Sequence, residues 1–423
     1  MSETHRVVII GGGFGGLYAA KSLGRAPVSV TLIDRRNFHL FQPLLYQVAT
    51  GALSPGEIAS PLRHVLRKHR NTQVLLGEVK DIDVENRRVI LREGDAPYDD
   101  LIVATGATHH YFGHDEWART APGLKTVEDA TTIRARVLSA YEHAERERDP
   151  EKQRAWLNFV IVGGGPTGVE LAGALGEIAN DTLRHDFRHI DPARSQILLI
   201  EGADRVLPLF PPDLSHKAEK QLMALGVRTR TNARVTDVHE GGVTVEAGGR
   251  EERIVARTVL WAAGVRASSL GKVLAERAGA KLDKAGRVMV EPDLSIPGHP
   301  EIHVIGDLAT LSQDGKPLPG VAPVAMQQGR YVADEISKKA RGEGATRPFR
   351  YFDKGNLATI GRNKAVAQFG KLHIAGFPAW FVWVFVHLMY LVEFENRLLV
   401  LVEWVYNYIT RNRGARLITS GQP

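Results

Sequence analysis

The sequence predicts an α/β protein with two tandem parallel-sheet units and a helical, apolar C-terminal segment. Three observations predict it. An apolar strand, a glycine-rich turn, a helix and a second strand ending in an acid occur in that order near the N-terminus. The same order returns 152 residues later. After residue 370 the composition turns strongly aromatic and apolar.

The first unit opens with Val7–Ile10, a β-branched apolar run that reads as a buried parallel strand. Gly11, Gly13 and Gly16 follow at G-x-G-x-x-G spacing, with Phe14 and Gly15 between them. Gly11 permits the tight turn, Gly13 lets a pyrophosphate approach the backbone, and Gly16 lets the helix pack on the strand. The helix N-terminus offers free N–H groups and a positive dipole end. The second strand, Val28–Ile33, ends in Asp34, 23 residues after Gly11, where a carboxylate can accept from ribose hydroxyls. This pattern predicts a Rossmann-type dinucleotide site.

The second unit repeats each part. Phe159–Val162 leads into Gly163, Gly165, Pro166, Thr167 and Gly168. Its second strand, Gln196–Ile200, ends in Glu201. The gap to the acid is longer here. The polar stretch Asn180–Arg194 accounts for it and predicts an extended helix plus loop. A carboxylate at 201 can accept from a ribose 2′-hydroxyl and would repel a 2′-phosphate, so a dinucleotide with a free 2′-hydroxyl is expected. Arg205 is placed to soften that preference.

Each nucleotide unit continues into short alternating strands. The first set is Val74–Leu76, Val79–Val84 and Arg88–Arg92; the second is Val227–Arg230, Val235–His239 and Val243–Ala247. Each set closes on an apolar strand and a small-residue turn: Leu101–Val103 with Ala104, Thr105 and Gly106, then Val259–Ala262 with Ala263 and Gly264.

Composition limits the chemistry. The chain has 423 residues and no cysteine, which excludes a disulfide framework, a thiol relay and cysteine-ligated metal. Redox chemistry would have to come from a bound cofactor. The 16 histidines include His109-His110, His185 and His189, but no matching ligand set, so no metal is expected. The net charge of +6 is the small excess of 54 basic over 48 acidic residues and is a weak indicator; no nucleic-acid partner is expected. The N-terminus lacks a secretory pattern, so the cytoplasmic side is expected.

Between Ile374 and Val392 only His387 is strongly polar, and Gly376 and Pro378 break the start. About 15 helical residues rise roughly 22 Å, short of a 30 Å hydrocarbon core. In Asn396–Arg411 the polar residues Asn396, Glu403, Asn407 and Arg411 fall on one helical face. The segment suits a helix lying in the membrane plane, with Arg411, Arg413 and Arg416 facing anionic head groups. A hydrophobic homodimer interface and a true membrane span are the alternatives.

With these residues in view, the sequence resembles the two-dinucleotide-binding flavoproteins of the pyridine nucleotide–disulfide reductase type. The absence of cysteine removes the disulfide branch. Phe38–Gly51, Gly163–Gly173, Ala322–Gly329 and the apolar tail resemble the type II NADH dehydrogenases. The resemblance implies an FAD domain (1–120 and 275–340) interrupted by an inserted NADH domain (155–274), and a membrane-association or dimerisation region (341–423). A charged helical linker is expected near Ala130–Arg154.

It also implies NADH:quinone oxidoreduction without proton pumping: hydride passes to the flavin N5, and a membrane quinone is then reduced. FAD would be held by Gly11, Gly13, Phe14, Gly15, Gly16, Asp34, Arg35, Gln47, Val79, Ala104–Gly106, Gly306, Asp307 and Ala325. NADH would be held by Gly163, Gly165–Gly168, Glu201, Ala263 and Gly264. Glu170 would position the nicotinamide or relay protons; the plainer reading is charge complementarity at a helix N-terminus. Gln327, near the start of a helix expected over Ala325–Lys338, would donate to a quinone carbonyl. The quinone set comprises Gln47, Pro323 and Gln327. Pro323 departs from the family's A-Q-x-A-x-Q pattern and has no N–H to donate, so contact there differs or is absent. The enzyme is expected as a peripheral protein on the cytoplasmic face of the cell membrane. Reduction of a specialised naphthoquinone or a small electron-carrier protein, and a slow NADH-sensing scaffold, stay open as other functions.

Overall fold

The structure is a computed structural model that describes residues 4–344 and 347–419. The chain divides into two compact units, one of Met1–Leu40, Ala59–Thr108 and Val265–Lys354, the other of Phe41–Ile58, His109–Gly264 and Gly355–Pro423.

The first unit is built on a six-stranded sheet in the order Ser295–Ile296, His299–Val304, Asp100–Val103, Arg6–Ile10, Ser29–Asp34, Thr72–Leu76. Arg6–Ile10 lies at its centre, parallel to both neighbours, with Val7 level with Val30 and with Asp100. Val7–Ile10 are all buried, which explains why the strand is continuously apolar. Each such side chain contributes about 1.5–3 kcal/mol by leaving water. The helices Phe14–Leu23 and Ala322–Ala340 cross closely. A Cβ on Gly329 would stand 2.3 Å from the Gly15 carbonyl oxygen, so glycine sets that spacing. The helix expected from Ala325 begins at Ala322. Pro323 falls in its first turn, where a missing N–H costs little.

The second unit has a four-stranded parallel sheet in the order Val227–Arg230, Gln196–Ile200, Asn158–Val162, Thr258–Trp261. A three-stranded antiparallel sheet, Asn356–Gly361, Lys364–Phe369 and Leu372–Ala375, belongs to the same unit. The helix Pro166–Glu177 lies so close to it that a Cβ on Gly173 would stand 1.7 Å from the Ile360 carbonyl oxygen. The charged linker forms two helices, Val127–Arg146 and Pro150–Trp156. Thr126 and Asp129 cap the first reciprocally, and Asp149 caps the second. Residues 355–419 and the short segment Phe41–Ile58 pack within this second unit.

Some elements differ from the sequence reading. Val74–Leu76 and Val227–Arg230 are not meander strands; each is the outermost parallel strand of its sheet. An edge position exposes alternate side chains, which gave them the same alternation as a meander. The meanders begin at Val79 and Ala233, and their third strands, Asp95–Pro97 and Arg250–Val255, had no apolar signal. The helix expected to extend beyond Asn180 stops after a single wider turn, Ile178–Thr182.

The tail forms helices Phe377–Tyr390 and Phe394–Thr410. Among the described residues no helix is long and apolar enough to cross a membrane. The 14-residue helix rises about 21 Å.

Candidate functional site

In the first unit the glycine turn follows directly from the strand Arg6–Ile10. Gly11 has φ +104°, and a Cβ there would stand 2.5 Å from the Ala104 carbonyl oxygen. A Cβ on Gly16 would stand 1.8 Å from the Gly11 carbonyl oxygen, so the helix could not seat with any other residue. Around Gly13 the opposite holds: an added Cβ meets nothing within 4 Å. Gly13 is also the N-cap, with no side chain capping the helix. The result is open space over uncapped helix N–H groups, which suits a diphosphate.

Asp34 braces this turn. One carboxylate oxygen accepts from the Gly12 N–H at 2.6 Å, the other from the Arg36 N–H at 2.7 Å. Beneath it, His39 Nδ1 bonds the Gly12 carbonyl oxygen at 2.9 Å, and Phe14 meets the His39 ring edge-on. Burial lowers the His39 pKa to about 4, so the ring is a neutral support for the loop. Gly306 has φ +71° and donates its N–H to Gln328 Oε1 at 2.7 Å. Ala325 packs 3.4 Å from where a Gly306 Cβ would be, and Asp307 borders Gly320. Thr105 Oγ1 bonds Ser268 Oγ at 2.5 Å, and the Gly106 carbonyl accepts from the Ser268 N–H. Arg35 is exposed, and Val79 packs at the rim of the core. Of the residues assigned to FAD, Gln47 alone lies outside this unit.

The second unit repeats the cradle. Gly163 has φ +107°, with Ala262 and Ala263 backbone atoms 2.7 Å from an added Cβ. A Cβ on Gly168 would stand 1.8 Å from the Gly163 carbonyl oxygen, while Gly165 is open. Pro166 occupies the first helical position, and Thr167 follows it. Glu201 accepts from the Gly164 N–H at 2.6 Å and the Ala203 N–H at 2.7 Å, the same two relationships Asp34 makes. Arg205 bonds Asp204 and the Pro208 carbonyl, not Glu201. At Gly264, φ +70°, the Phe112 ring reaches within 2.7 Å of an added Cβ. Phe112 was not foreseen; an exposed aromatic with φ +54° leaves no trace in a sequence pattern.

The second unit also holds a cavity lined by Tyr46, Gln47, Glu170, Thr359, Trp383, Trp404 and Arg413. Burial raises the Glu170 pKa well above the usual carboxylate range, against one opposing hydrogen bond from the Thr359 backbone. Gln47 is nearly enclosed, and both ends of its amide are used. Its Oε1 accepts from Trp404 Nε1 at 2.8 Å, and its Nε2 donates to the Tyr46 hydroxyl at 2.9 Å. Arg413 donates to Thr50 Oγ1 at 2.7 Å, to the Thr50 carbonyl at 3.2 Å and to Glu177 at 2.8 Å. Asn407 donates to the Ala52 carbonyl at 3.1 Å. The sequence reading missed Tyr46, Trp404 and Arg413 as lining groups, although Tyr46 adjoins Gln47 in the first matched stretch.

Other residues sit differently from expectation. Gln327 clamps the backbone of Phe352, donating to its carbonyl and accepting from its N–H, each at 2.9 Å. The expected lipid-facing arginines pair internally: Arg411 with Asp181, Arg413 with Glu177, Arg416 with Asp186. His387 Nδ1 bonds the Trp383 carbonyl at 2.7 Å, and burial brings its pKa to about 4. Among the described residues no three His, Asp or Glu side chains are grouped to hold a metal.

The chain is similar to known proteins along nearly its whole length. Residues 5–329 match the pyridine nucleotide-disulphide oxidoreductase family, and residues 354–412 match the NDH2 C-terminal domain. The type II NADH:quinone oxidoreductase Ndh of Mycobacterium tuberculosis is 48% identical, over 99% of this chain and 91% of its own length. The related NdhA of the same organism is 48% identical over 98% and 90%. The fold matches that of NDH2 from Plasmodium falciparum, solved in complex with NADH, with a TM-score of 0.87 at 21% identity over 99% of this chain and all of that one. With two braced glycine cradles, no cysteine and matches along nearly its whole length, the chain belongs to the type II NADH:quinone oxidoreductase family.

Proposed function

We propose that the chain oxidises NADH through a bound FAD and passes the electron pair to a membrane quinone, without proton pumping. The observation that carries this reading is the doubled cradle. Two glycine turns, each braced by one carboxylate, each leave open space at an uncapped helix N-terminus. We assign FAD to the first unit and NADH to the second. Gly11–Gly16, Asp34, Gly306 and Asp307 would hold FAD, and Ala104–Gly106 would form the neighbouring wall. Gly163, Gly165–Gly168, Glu201, Ala263 and Gly264 would hold NADH.

When bound, the flavin supplies a hydride acceptor that also reduces quinones. The chain's own residues supply the rest. Helix N–H groups neutralise phosphate charge. Glu201 favours a free 2′-hydroxyl over a phosphate, and its neighbour Arg205 is held by Asp204 and Pro208. The aromatic walls of the cavity would take a flat quinone ring, and Glu170, whose carboxyl burial shifts toward its protonated form, would carry a proton to it.

We infer peripheral attachment at the cytoplasmic face of the membrane, and the exposed apolar tail supports the attachment itself. Phe377, Phe381, Phe385 and Met389 recur every four residues and are exposed. Leu398, Leu401, Val402, Val405 and Ile409 form a second exposed apolar stripe. A stripe of this kind lies in the interface plane, and lipid is the occupant we assign to it. A homodimer covering the same face is the competing occupant. Because the arginines are paired internally, insertion of apolar side chains, not charge attraction, would hold the tail.

Anaerobic mixing tests the reaction. NADH should bleach the flavin absorbance of the purified protein, and a short-chain quinone should restore it. A protein that takes up no flavin would end this reading.

A further inference from the structure

The hydrogen bonds around Gln47 run in one direction. Trp404 Nε1–H can only donate, so Gln47 Oε1 is the acceptor. Gln47 Nε2–H in turn donates to the Tyr46 oxygen. That bond uses Tyr46 as an acceptor and leaves its own proton to be given elsewhere. Tyr46 lines the same cavity as Glu170 and is 8% exposed. Burial raises the Tyr46 pKa, and any charge on Glu170 would raise it further. Tyr46 is therefore a neutral phenol, and a chain of polarised hydrogen bonds ends on its O–H.

We propose that Tyr46 is a catalytic residue: its hydroxyl donates a hydrogen bond, then a proton, to one oxygen of the quinone in this cavity. This rests on the cavity being the quinone site. Converting a quinone to a quinol takes two electrons and two protons. The reduced flavin of the proposed reaction supplies the electrons. One proton leaves the Tyr46 oxygen for one quinone oxygen, and one leaves the Glu170 carboxyl for the other. Each O–H bond broken on the protein is replaced by one formed on the quinol, and both acids regain a proton from solvent, which also takes up the proton that the flavin would release on reoxidation. Gln47 and Trp404 are positioning residues. They fix the Tyr46 hydroxyl by occupying its acceptor side.

The test is Tyr46→Phe in the full-length, flavin-loaded protein, with Trp404→Phe beside it. Phenylalanine keeps the ring and removes only the hydroxyl. Flavin reduction by NADH should be unchanged, and so should turnover with ferricyanide, which takes electrons without protons. Reoxidation by a soluble short-chain quinone should slow at least tenfold. The variant should also bind that quinone more weakly, read as reduced quenching of tryptophan fluorescence on titration. Trp404→Phe, which leaves Gln47 free to turn, should give a smaller loss in the same step. Reoxidation of Tyr46→Phe within twofold of the parent overturns the proposal. Ala52→Phe, which fills the cavity, separates the two failures. If it blocks quinone reduction while Tyr46→Phe does not, the assignment to Tyr46 is wrong. If it leaves quinone reduction intact, the cavity is not the quinone site and the proposal falls with it.

Discussion

Replacing Arg413 with alanine should destabilise the second unit far more than replacing Arg411, although both sit in one tail and both pair with an acid. The difference is burial. The Arg413 side chain is 9% exposed and Glu177 17%, and Arg413 also bonds Thr50 twice. The Arg411 side chain is 64% exposed, and Asp181 has a second cation in Arg362. Removing one partner of a buried pair strands the other and costs about 3–5 kcal/mol. Losing an exposed pair costs about 0–1 kcal/mol. At roughly 2–4 °C per kcal/mol for a unit of this size, Arg413→Ala should melt about 6–20 °C early and Arg411→Ala no more than about 4 °C early. Thermal unfolding followed by circular dichroism reads both. Arg413→Lys keeps the charge but not the fork that reaches Thr50, so it should fall between parent and alanine variant. If Arg413→Ala and Arg411→Ala melt at the same temperature, burial is not what gives the Arg413 knot its weight, and the reasoning fails.

Gly165→Ala should fold with an unchanged melting temperature yet bind NADH at least about tenfold more weakly, because its methyl enters space that only the ligand would use. Gly168→Ala, which drives a methyl into the Gly163 carbonyl, should lose about 3 kcal/mol or fail to fold; equal stability of the two variants would contradict the packing. His39 predicts an acid limb. Its folded pKa of about 4 lies below the ordinary 6.5, so its contribution is complete above pH 6.5 and is lost as pH falls toward 4, by about 3 kcal/mol in all. Urea unfolding at pH 7 and pH 4.5 should show that loss, and His39→Gln should flatten it. Phe381→Glu with Phe385→Glu should release the protein from vesicles. The parent should bind neutral and anionic vesicles alike, and strong preference for anionic vesicles would show that the tail arginines leave their partners.

The two cradles were legible because their chemistry is local. A turn that needs φ near +100°, a helix that must touch its strand and an acid at the end of the next strand are each a residue type at a fixed spacing. The braces made by Asp34 and Glu201 to the second glycine of each turn were not predicted, but the acids themselves were. The cavity was not legible. Tyr46 and Trp404 both touch Gln47 from positions 357 residues apart or next to it in sequence, and no periodicity records such a meeting. Gln327 and Gln328 show the same limit within one helix. Adjacent residues point in different directions, so Gln328 reaches the buried Gly306 turn and Gln327 reaches Phe352. The sequence analysis singled out Gln327, and the amide that serves the turn is Gln328.

The tail is where the physical reasoning changes most. Three arginines after an apolar helix read as lipid-facing because a sequence shows no competing anion. The structure supplies three. Glu177 and Asp181 stand four residues apart, on one face of the nucleotide helix and the wider turn that continues it, with Asp186 just beyond. A fixed carboxylate competes well with a mobile head group, since its position is already set by the fold and ordering it costs nothing more. The tail therefore has two sides with separate duties. Its apolar stripes face outward, while its polar groups, Trp404, Asn407 and Arg413, turn inward to the segment that carries Tyr46 and Gln47. Whatever holds the outer side then bears on the geometry of the inner one. Detergent or lipid that reorders the tail should change quinone reduction before it changes the oxidation of NADH by ferricyanide, and equal effects on both would separate the tail from the cavity.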